Sequence, residues 1–456
     1  MNSGGETSSE LHPIELSPTH EILIGQRATQ DSIALAFAEL YQGRFAYAYP
    51  SGWLQWTGKL WSPDISGNIR EEIRKLARRH NRDGLSQLAA ASFVNGVLEF
   101  LKSDPAMKIS ASEFDRDAHL LNCFDGVWHL GTGERYEHSP ELKITKITPI
   151  SVGHDEPKVF LKFLDEITDG DKELQAFFQI MLGSLLTGAQ EIHKIFYWYG
   201  ATSRNGKSTL AELIRYILGD YATTFPAEAL TKGETRSNDF VQLVGKRLAI
   251  SGEVPDGCRW HEGRIKTLTS DEYIDVKPHY KETFSVKRTH KHLVLGNYRP
   301  AFNSMDAGTT SKFVLVPFNV SFLGREDVDL PMKLRKEAPD ILGWLMQGHL
   351  QFILNGMKLP PCQAVDEATR DYFESQSTVN MWIEERCERI DNRDLPKSHW
   401  VKSSELYADY ADWKRERGEA PLGESKFSES LQVEFKKARS NGMRFAGLRL
   451  NPLPNI

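Results

Sequence analysis

Residues 195–199, IFYWY, form an unbroken run of apolar and aromatic positions that stops at Gly200. A short continuous run bounded by glycine predicts a strand buried on both faces. Beyond a polar stretch, Leu210, Leu213, Ile214, Ile217 and Leu218 recur at helical spacing, and Gly219 follows them as a C′ glycine would. Three more short apolar runs, RLAIS (247–251), HLVLG (292–296) and FVLVPF (313–318), alternate with helical or hairpin material. That alternation predicts a parallel α/β sheet.

The flanks have other periods. GWLQWTGKLW (52–61) spaces aromatics around Thr57-Gly58, and LNCFDGVWHLGTGERY (121–136) does the same around Asp125-Gly126 and Gly131-Thr132-Gly133. Both predict β-hairpins, with a helical pattern over 69–101 between them, so residues 26–157 are expected to form an α+β module. Two helical segments over 158–190 lead into the IFYWY strand, and 330–357 is helical up to a boundary at KLPPC (358–362). A helix near 403–417, another near 424–435 and a hairpin within 436–450 turning at Asn441-Gly442 suggest a winged helix. Its wing is cationic, since Lys436 to Ile456 holds five basic residues and no acidic one. The expected units are thus a disordered tail (1–25), the α+β module (26–157), the α/β core (158–330), a helical lid and linker (331–365) and a winged-helix domain (366–456).

Composition narrows the classes. At 456 residues the chain is long enough for about two to four domains with cores of their own. No apolar run approaches the roughly 20 residues that span a bilayer, so no membrane role is expected. The polar, Pro- and Ser-containing N-terminus has neither the basic start nor the apolar centre of a signal peptide, and the cytoplasm of a bacterial host is the expected compartment. Cys123, Cys258, Cys362 and Cys387 are scattered without a Cys-x-x-Cys pair, which points to reduced packing residues. A net charge of −6 requires any nucleic-acid contact to come from local patches.

The stretch YGATSRNGKSTL (199–210) carries the chemistry. Strand, glycine-containing loop and helix is the arrangement that aims successive backbone N–H groups at phosphate oxygens. Gly200, Asn205 and Gly206 shape that loop, Lys207 reaches the outer phosphates, Ser208 offers a hydroxyl to Mg²⁺ and Thr209 continues the helix. Five residues separate Gly200 from Gly206 where four are usual, and Ala201 stands where the first glycine is expected. Glu253, just past RLAIS, is the candidate carboxylate for holding Mg²⁺ through water; Gly252 precedes it and the next acid is Asp256, so a second catalytic carboxylate is unassigned. Asn297, one residue past HLVLG, can hold an attacking water against a terminal phosphate. Read alone, it is equally a turn residue ahead of Pro300.

The order of these pieces, YGATSRNGKSTL, KRLAISGEVPDG, RIKTLTSDEYIDVKPHYKETFSV, HLVLGNYRPAF and FVLVPF, resembles superfamily 3 helicases of the phage and plasmid primase-helicase type, related to poxvirus-type primase-helicases. The resemblance runs from about residue 30 through the C-terminal segment. It implies an AAA+ type P-loop core that binds ATP and Mg²⁺ between subunits of a hexameric ring and moves 3′-to-5′ on single-stranded DNA. It also implies that residues 264–286 carry a hairpin lining the central channel, with Lys266, Lys277, Tyr280 and Lys281 as the DNA-contacting residues. Without the resemblance, that lysine run reads as a solvated face. Family members often carry a primase ahead of the motor; the short tail has no room for one, so priming is expected from a separate primase or polymerase, or from a part of the protein ahead of this sequence.

One departure stands out. Where the family has two adjacent arginines before the last strand, one reaching the neighbouring subunit's ATP, this chain has Ser311 and Lys312. Lys312 keeps the charge without the planar two-pronged donor. Either Lys312 substitutes, another cation such as Arg299 or Arg325 is recruited, or turnover is slow. The last case motivates an alternative reading, a nucleotide-dependent DNA-binding or loading module with weak or absent hydrolysis.

Overall fold

The structure is a computed structural model that describes residues 28–80, 86–200, 202–231, 239–254, 258–277, 283–302, 307–376, 378–390, 400–432, 435–439 and 442–451. The expected tail at 1–25 lies outside the described residues, as do Ala201, Asp256, Tyr280 and Lys281.

The N-terminal part begins with helix α1 (Gln30–Tyr41), whose start is fixed by a reciprocal cap between Thr29 and Ser32. The predicted 52–61 hairpin is the second half of a three-stranded antiparallel meander, β1 (Phe45–Ala48), β2 (Gly52–Trp56) and β3 (Trp61–Pro63). Helix α2 (Asn68–Arg79) follows, its first N–H groups donating to the Asp64 carboxylate at 2.7 and 3.0 Å, and then α3 (Ala91–Ser103). Ile33, Phe37, Ile73, Val97 and Leu101 close a core among these three helices.

The second predicted hairpin is also a meander, β4 (Leu120–Cys123), β5 (Gly126–His129) and β6 (Arg135–Tyr136). It does not share the core of α1–α3. Leu121, Cys123 and Leu130 instead join the large cluster beneath the central sheet, and the Asn122 N–H donates to the Tyr221 hydroxyl at 3.1 Å. The α+β stretch expected over 26–157 therefore feeds two cores, because the apolar face of β4–β5 has the larger sheet to bury against.

Helices α4 (Lys158–Ile167) and α5 (Lys172–Ser184) lead into the central sheet. Its strands are β7 (Ile195–Tyr199), β8 (Ala222–Thr224), β9 (Leu248–Ser251), β12 (Lys291–Gly296) and β13 (Phe313–Pro317), all parallel, in the order β13-β7-β12-β9-β8. The predicted strands are present, with β8 the one the sequence pattern missed; at three residues it is too short to carry a period. Helix α6 (Lys207–Leu218) connects β7 to β8, and Gly219 follows it at φ 52°. Helix α7 (Glu262–Ser270) and an antiparallel hairpin, β10 (Tyr273–Val276) with β11 (Phe284–Lys287), are inserted between β9 and β12.

Helices α8 (Leu330–Lys336) and α9 (Ala338–Leu354) occupy the predicted 330–357 region, and α9 packs along α5 on one side of the sheet. Helix α10 (Gln363–Gln376) covers the other side: Tyr372 is fully buried beside Trp260 and Phe313, and the Thr369 hydroxyl accepts from the Leu315 N–H at 3.0 Å. A boundary at 366 would cut this helix, which belongs to the sheet by its contacts. The remaining elements are α11 (Thr378–Arg386), β14 (Cys387–Arg389), β15 (Val401–Lys402), α12 (Ser403–Glu416), α13 (Glu424–Gln432), β16 (Lys437–Arg439), β17 (Met443–Phe445) and β18 (Leu448–Leu450). Strands β16 and β17 pair antiparallel in the expected hairpin, and Trp382, Tyr410, Phe427 and Phe445 fill a separate core. No helix among the described residues is long and apolar enough to cross a membrane.

The edge where the parallel strands begin carries an unusual set of buried cations. Arg247 donates to the Leu186 and Leu120 carbonyls, and the Lys291 ammonium to the Thr187 and Ala189 carbonyls at 2.8 and 2.9 Å. These cations satisfy oxygens just past the end of α5 and favour its negative terminus. Through Leu120 they also tie the β4–β6 meander to the sheet. Next to them His290 and His292 lie edge to face at 4.8 Å, fully buried, with no hydrogen bond to any ring nitrogen.

Burial, with Arg288 close by, pushes His292 down to about 3. Burial also pushes His349 down to about 4, and His290 well below its ordinary 6.5. The unfolded chain takes up these protons near pH 6.5 and the folded chain only far lower. The histidines' contribution to stability is therefore full above about pH 6.5 and falls as pH drops, by about 1.4 kcal/mol per unit for each histidine. Denaturant titrations at pH 7.5, 6.0 and 5.0 should show this loss, and His292→Leu should flatten the slope by one histidine's share.

Candidate phosphate-loop site

The site is assembled where the parallel strands end. Strand β7 runs directly into Gly200, whose N–H donates to the Gly296 carbonyl at 3.2 Å. A Cβ on Gly200 would lie 2.0 Å from the Asn205 amide nitrogen and 2.6 Å from the Phe318 carbonyl, so a side chain there is incompatible with the closed loop. The Asn205 amide donates to the Thr202 carbonyl at 2.8 Å and holds the loop together. Arg204 at φ 57° and Gly206 at φ 86° are both left-handed, which turns consecutive N–H groups toward one side. The extra residue relative to the usual spacing falls in this turn, between Gly200 and Gly206.

Lys207 opens α6, and no side chain caps that helix start, so the N–H groups of its first turn remain available to an anion. Lys207 as a residue is 4% exposed, and its ammonium donates to the Asn297 side-chain oxygen at 2.8 Å and toward the Gly200 carbonyl at 3.4 Å. The Asn297 NH₂ in turn donates to a Glu253 carboxylate oxygen at 2.6 Å. A lysine donor at one end and a carboxylate at the other leave the Asn297 amide one sensible orientation. Lysine, asparagine and glutamate thus form one hydrogen-bonded chain across the ends of β7, β12 and β9. Burial pushes the Lys207 ammonium down to about 8, opposed by the attraction of Glu253.

The residue types fit a polyphosphate with a hydrated magnesium ion. Gly206, Lys207 and the open helix start suit phosphate oxygens, and Ser208 and Glu253, both exposed, are the oxygen donors such an ion would take. Thr209 sits one residue further into the helix, partly buried.

Other predicted site residues lie elsewhere. The Lys312 carbonyl accepts from the Ile195 N–H at 2.6 Å, so Lys312 marks the opposite edge, where β7 and β13 begin. The length of β7 separates it from its own loop by about 16 Å at 3.3 Å per residue. Lys312 is therefore no ligand of its own copy's loop. Lys277 is exposed at the end of β10, and Lys266 is partly buried on α7; neither joins the Lys207 chain, while Tyr280 and Lys281 lie outside the described residues. Of the other cations considered, Arg325 donates to the Ser321 carbonyl at 2.7 Å, and Arg299 stacks on the Tyr199 ring at 4.7 Å.

Residues 34–169 match a family described as "D5 N terminal like", and residues 198–310 match a family of unknown function, DUF5906. The chain is 23% identical over 356 residues to putative helicase L207/L206 of Acanthamoeba polyphaga mimivirus, covering 72% of this chain and 36% of that protein. It is 24% identical over 266 residues to putative helicase 022R of Frog virus 3 (isolate Goorha), covering 53% and 26%. It is 23% identical over 290 residues to Primase D5 of Fowlpox virus (strain NVSL), covering 59% and 36%. The chain thus spans about a third or less of the length of these curated relatives. Two structures of the NrS-1 C-terminal region share the fold at 9% identity, with TM-scores of 0.50 and 0.51 over 89% and 88% of this chain and 96% and 95% of theirs. The family matches and the helicase and primase names, all at low identity, support a D5-like primase-helicase relation.

Two outcomes follow from the loop geometry. Gly200→Ala should destabilise the fold by about 1–3 kcal/mol through overpacking and weaken polyphosphate binding further, measurable by denaturation and by titration with a fluorescent ATP analogue. Because Lys207 loses its proton through about pH 8, affinity for that analogue should fall as pH rises, by about tenfold per unit above 8. An unshifted affinity up to pH 10 would contradict the burial of this ammonium.

Proposed function

We propose that the chain is the motor portion of an ATP-dependent DNA helicase of the D5-like primase-helicase type, serving replication of a virus, phage, plasmid or integrated element. The observation that carries this reading is the Lys207–Asn297–Glu253 chain across three strand ends, beside a loop with two left-handed residues and an uncapped helix start. The names of its relatives supply the nucleic-acid side of the reading.

In this reading Gly206, Lys207 and the first N–H groups of α6 hold the β and γ phosphates of ATP, while Ser208 and, through water, Glu253 hold Mg²⁺. When bound, Mg²⁺ would supply positive charge against the phosphates. Asn297 links Lys207 to Glu253 in the resting chain and orients a water once the lysine turns to phosphate. The rest follows the superfamily 3 pattern: an AAA+ core in a hexameric ring, single-stranded DNA in its centre, 3′-to-5′ movement and a C-terminal winged helix. Lys266 and Lys277 would serve the DNA path from α7 and the β10–β11 hairpin, as cations that track phosphates. Lys312, at the edge away from its own loop, would serve the nucleotide of an adjoining copy.

Lys207→Ala should abolish ATP hydrolysis and strand unwinding while leaving the melting temperature within a few degrees of the parent. Unwinding that survives the substitution would reject this reading. A second reading, ATP-dependent DNA binding or loading with little turnover, is favoured by the lysine at 312 and by Glu253 being the one carboxylate in the Lys207 chain among the described residues. ATPase rates with and without single-stranded DNA separate the two: a helicase is stimulated, a loader binds tightly and turns over slowly at either condition.

A further inference from the structure

Arg299 is the feature of the site that neither the fold nor the resting hydrogen-bond chain explains. It follows Asn297 by two residues, on the loop that leaves β12 and passes over the end of β7. That loop is pinned on both sides: the Tyr197 hydroxyl donates to the Tyr298 carbonyl, and the Tyr372 hydroxyl to the Pro300 carbonyl at 2.5 Å. Trp260 fixes Tyr372 in turn with a 2.7 Å hydrogen bond. The guanidinium lies over the ring of Tyr199, the residue before Gly200, with its carbon 4.7 Å from the ring centroid.

Nearby arginines have oxygen partners. Arg204 is paired with Glu326, and Arg325 donates to the Ser321 carbonyl. Arg299 has neither a carboxylate nor a carbonyl among the described residues, and its Nε–H is fully shielded from solvent without an acceptor. Burying such a donor is unfavourable unless an acceptor arrives. A guanidinium held over an aromatic ring, with no oxygen partner for its fork among the described residues, suits a phosphate group.

We propose that Arg299 is a phosphate-sensing residue acting within its own copy, donating to the terminal phosphate of a nucleotide held by the Lys207 loop and so favouring triphosphate over diphosphate. This rests on the nucleotide-binding part of the proposed function. It assigns the role in cis to Arg299 and leaves Lys312, at the far edge, to an adjoining copy. Arg299 and Asn297 share one loop, so the presence of a terminal phosphate would be read by both ends of that segment.

The test is equilibrium binding of the β,γ-imido analogue of ATP and of ADP, each with Mg²⁺, to the parent chain, Arg299→Ala and Arg299→Lys. Arg299→Ala should weaken the triphosphate analogue about tenfold or more and ADP less than about threefold. Arg299→Lys should recover part of that difference, since it restores charge but not the fork. A merely structural role would weaken both nucleotides together, and that result, or no change in either, would overturn the proposal. If Arg299→Ala does not fold by circular dichroism, the triphosphate-to-diphosphate ratio of Arg299→Lys decides by the same criterion. A parent chain that binds neither nucleotide would overturn the nucleotide reading itself, and is visible before any variant is made.

Discussion

The arrangement of the site depends on one constraint: in a parallel sheet every strand ends at the same edge, so loops far apart in sequence open onto one surface. Strands β7, β12 and β9 are neighbours at about 4.8 Å spacing; β12 and β9 deliver Asn297 and Glu253 just past their ends, and β7 leads through its loop to Lys207. Strands β7 and β9, which lead to Lys207 and Glu253, are separated by β12. Asn297, from the strand between them, supplies both an acceptor and a donor and joins them. A buried lysine, a side-chain amide and an exposed carboxylate become a single hydrogen-bonded unit.

The opposite edge is organised by the same geometry with the reverse chemistry. There the strands begin, α5 ends, and carbonyl oxygens accumulate without helical partners. Arg247 and Lys291 satisfy them from within the protein, which also anchors the β4–β6 meander. The cost is a buried region rich in cationic side chains, and the adjoining histidines are held neutral by burial and, after it, by those neighbouring cations. Lys312 sits on this edge as well, and Lys194 beside it is lowered by burial and by the neighbouring charge of Lys312. The two edges thus divide the work: one gathers donors around a loop, the other buries cations that fix the flanking module.

Much of the central sheet was legible from local pattern. IFYWY, RLAIS, HLVLG and FVLVPF are each strands, because a strand covered on both faces must be apolar at every position. The helix after the loop was marked by its apolar face and by Gly219. Legibility failed where an element is short or its packing partner is remote. Strands β8, β14 and β15 have two or three residues and no period to detect. Helix α10 looks like the start of the C-terminal unit in sequence, yet its Tyr372 and Thr369 are claimed by β13 and Trp260. The meander at 120–136 was read correctly as local structure and assigned to the wrong neighbour, because hairpin signals report the turn and not the surface the hairpin buries.

For the site, the sequence determined the residue types and their order: a glycine-containing loop opening a helix at Lys207, and polar residues directly after apolar strands at Glu253 and Asn297. It could do so because a strand end and a helix start are properties of a few consecutive residues. Only the tertiary structure decided that Asn297 bridges Lys207 to Glu253, that Lys312 stands at the far edge, and that Arg299 lies on Tyr199 with its Nε–H unpaired among the described residues. Those facts depend on strand order and on which face of β7 each loop crosses, and strand order is fixed by long-range pairing that no local run of residues encodes.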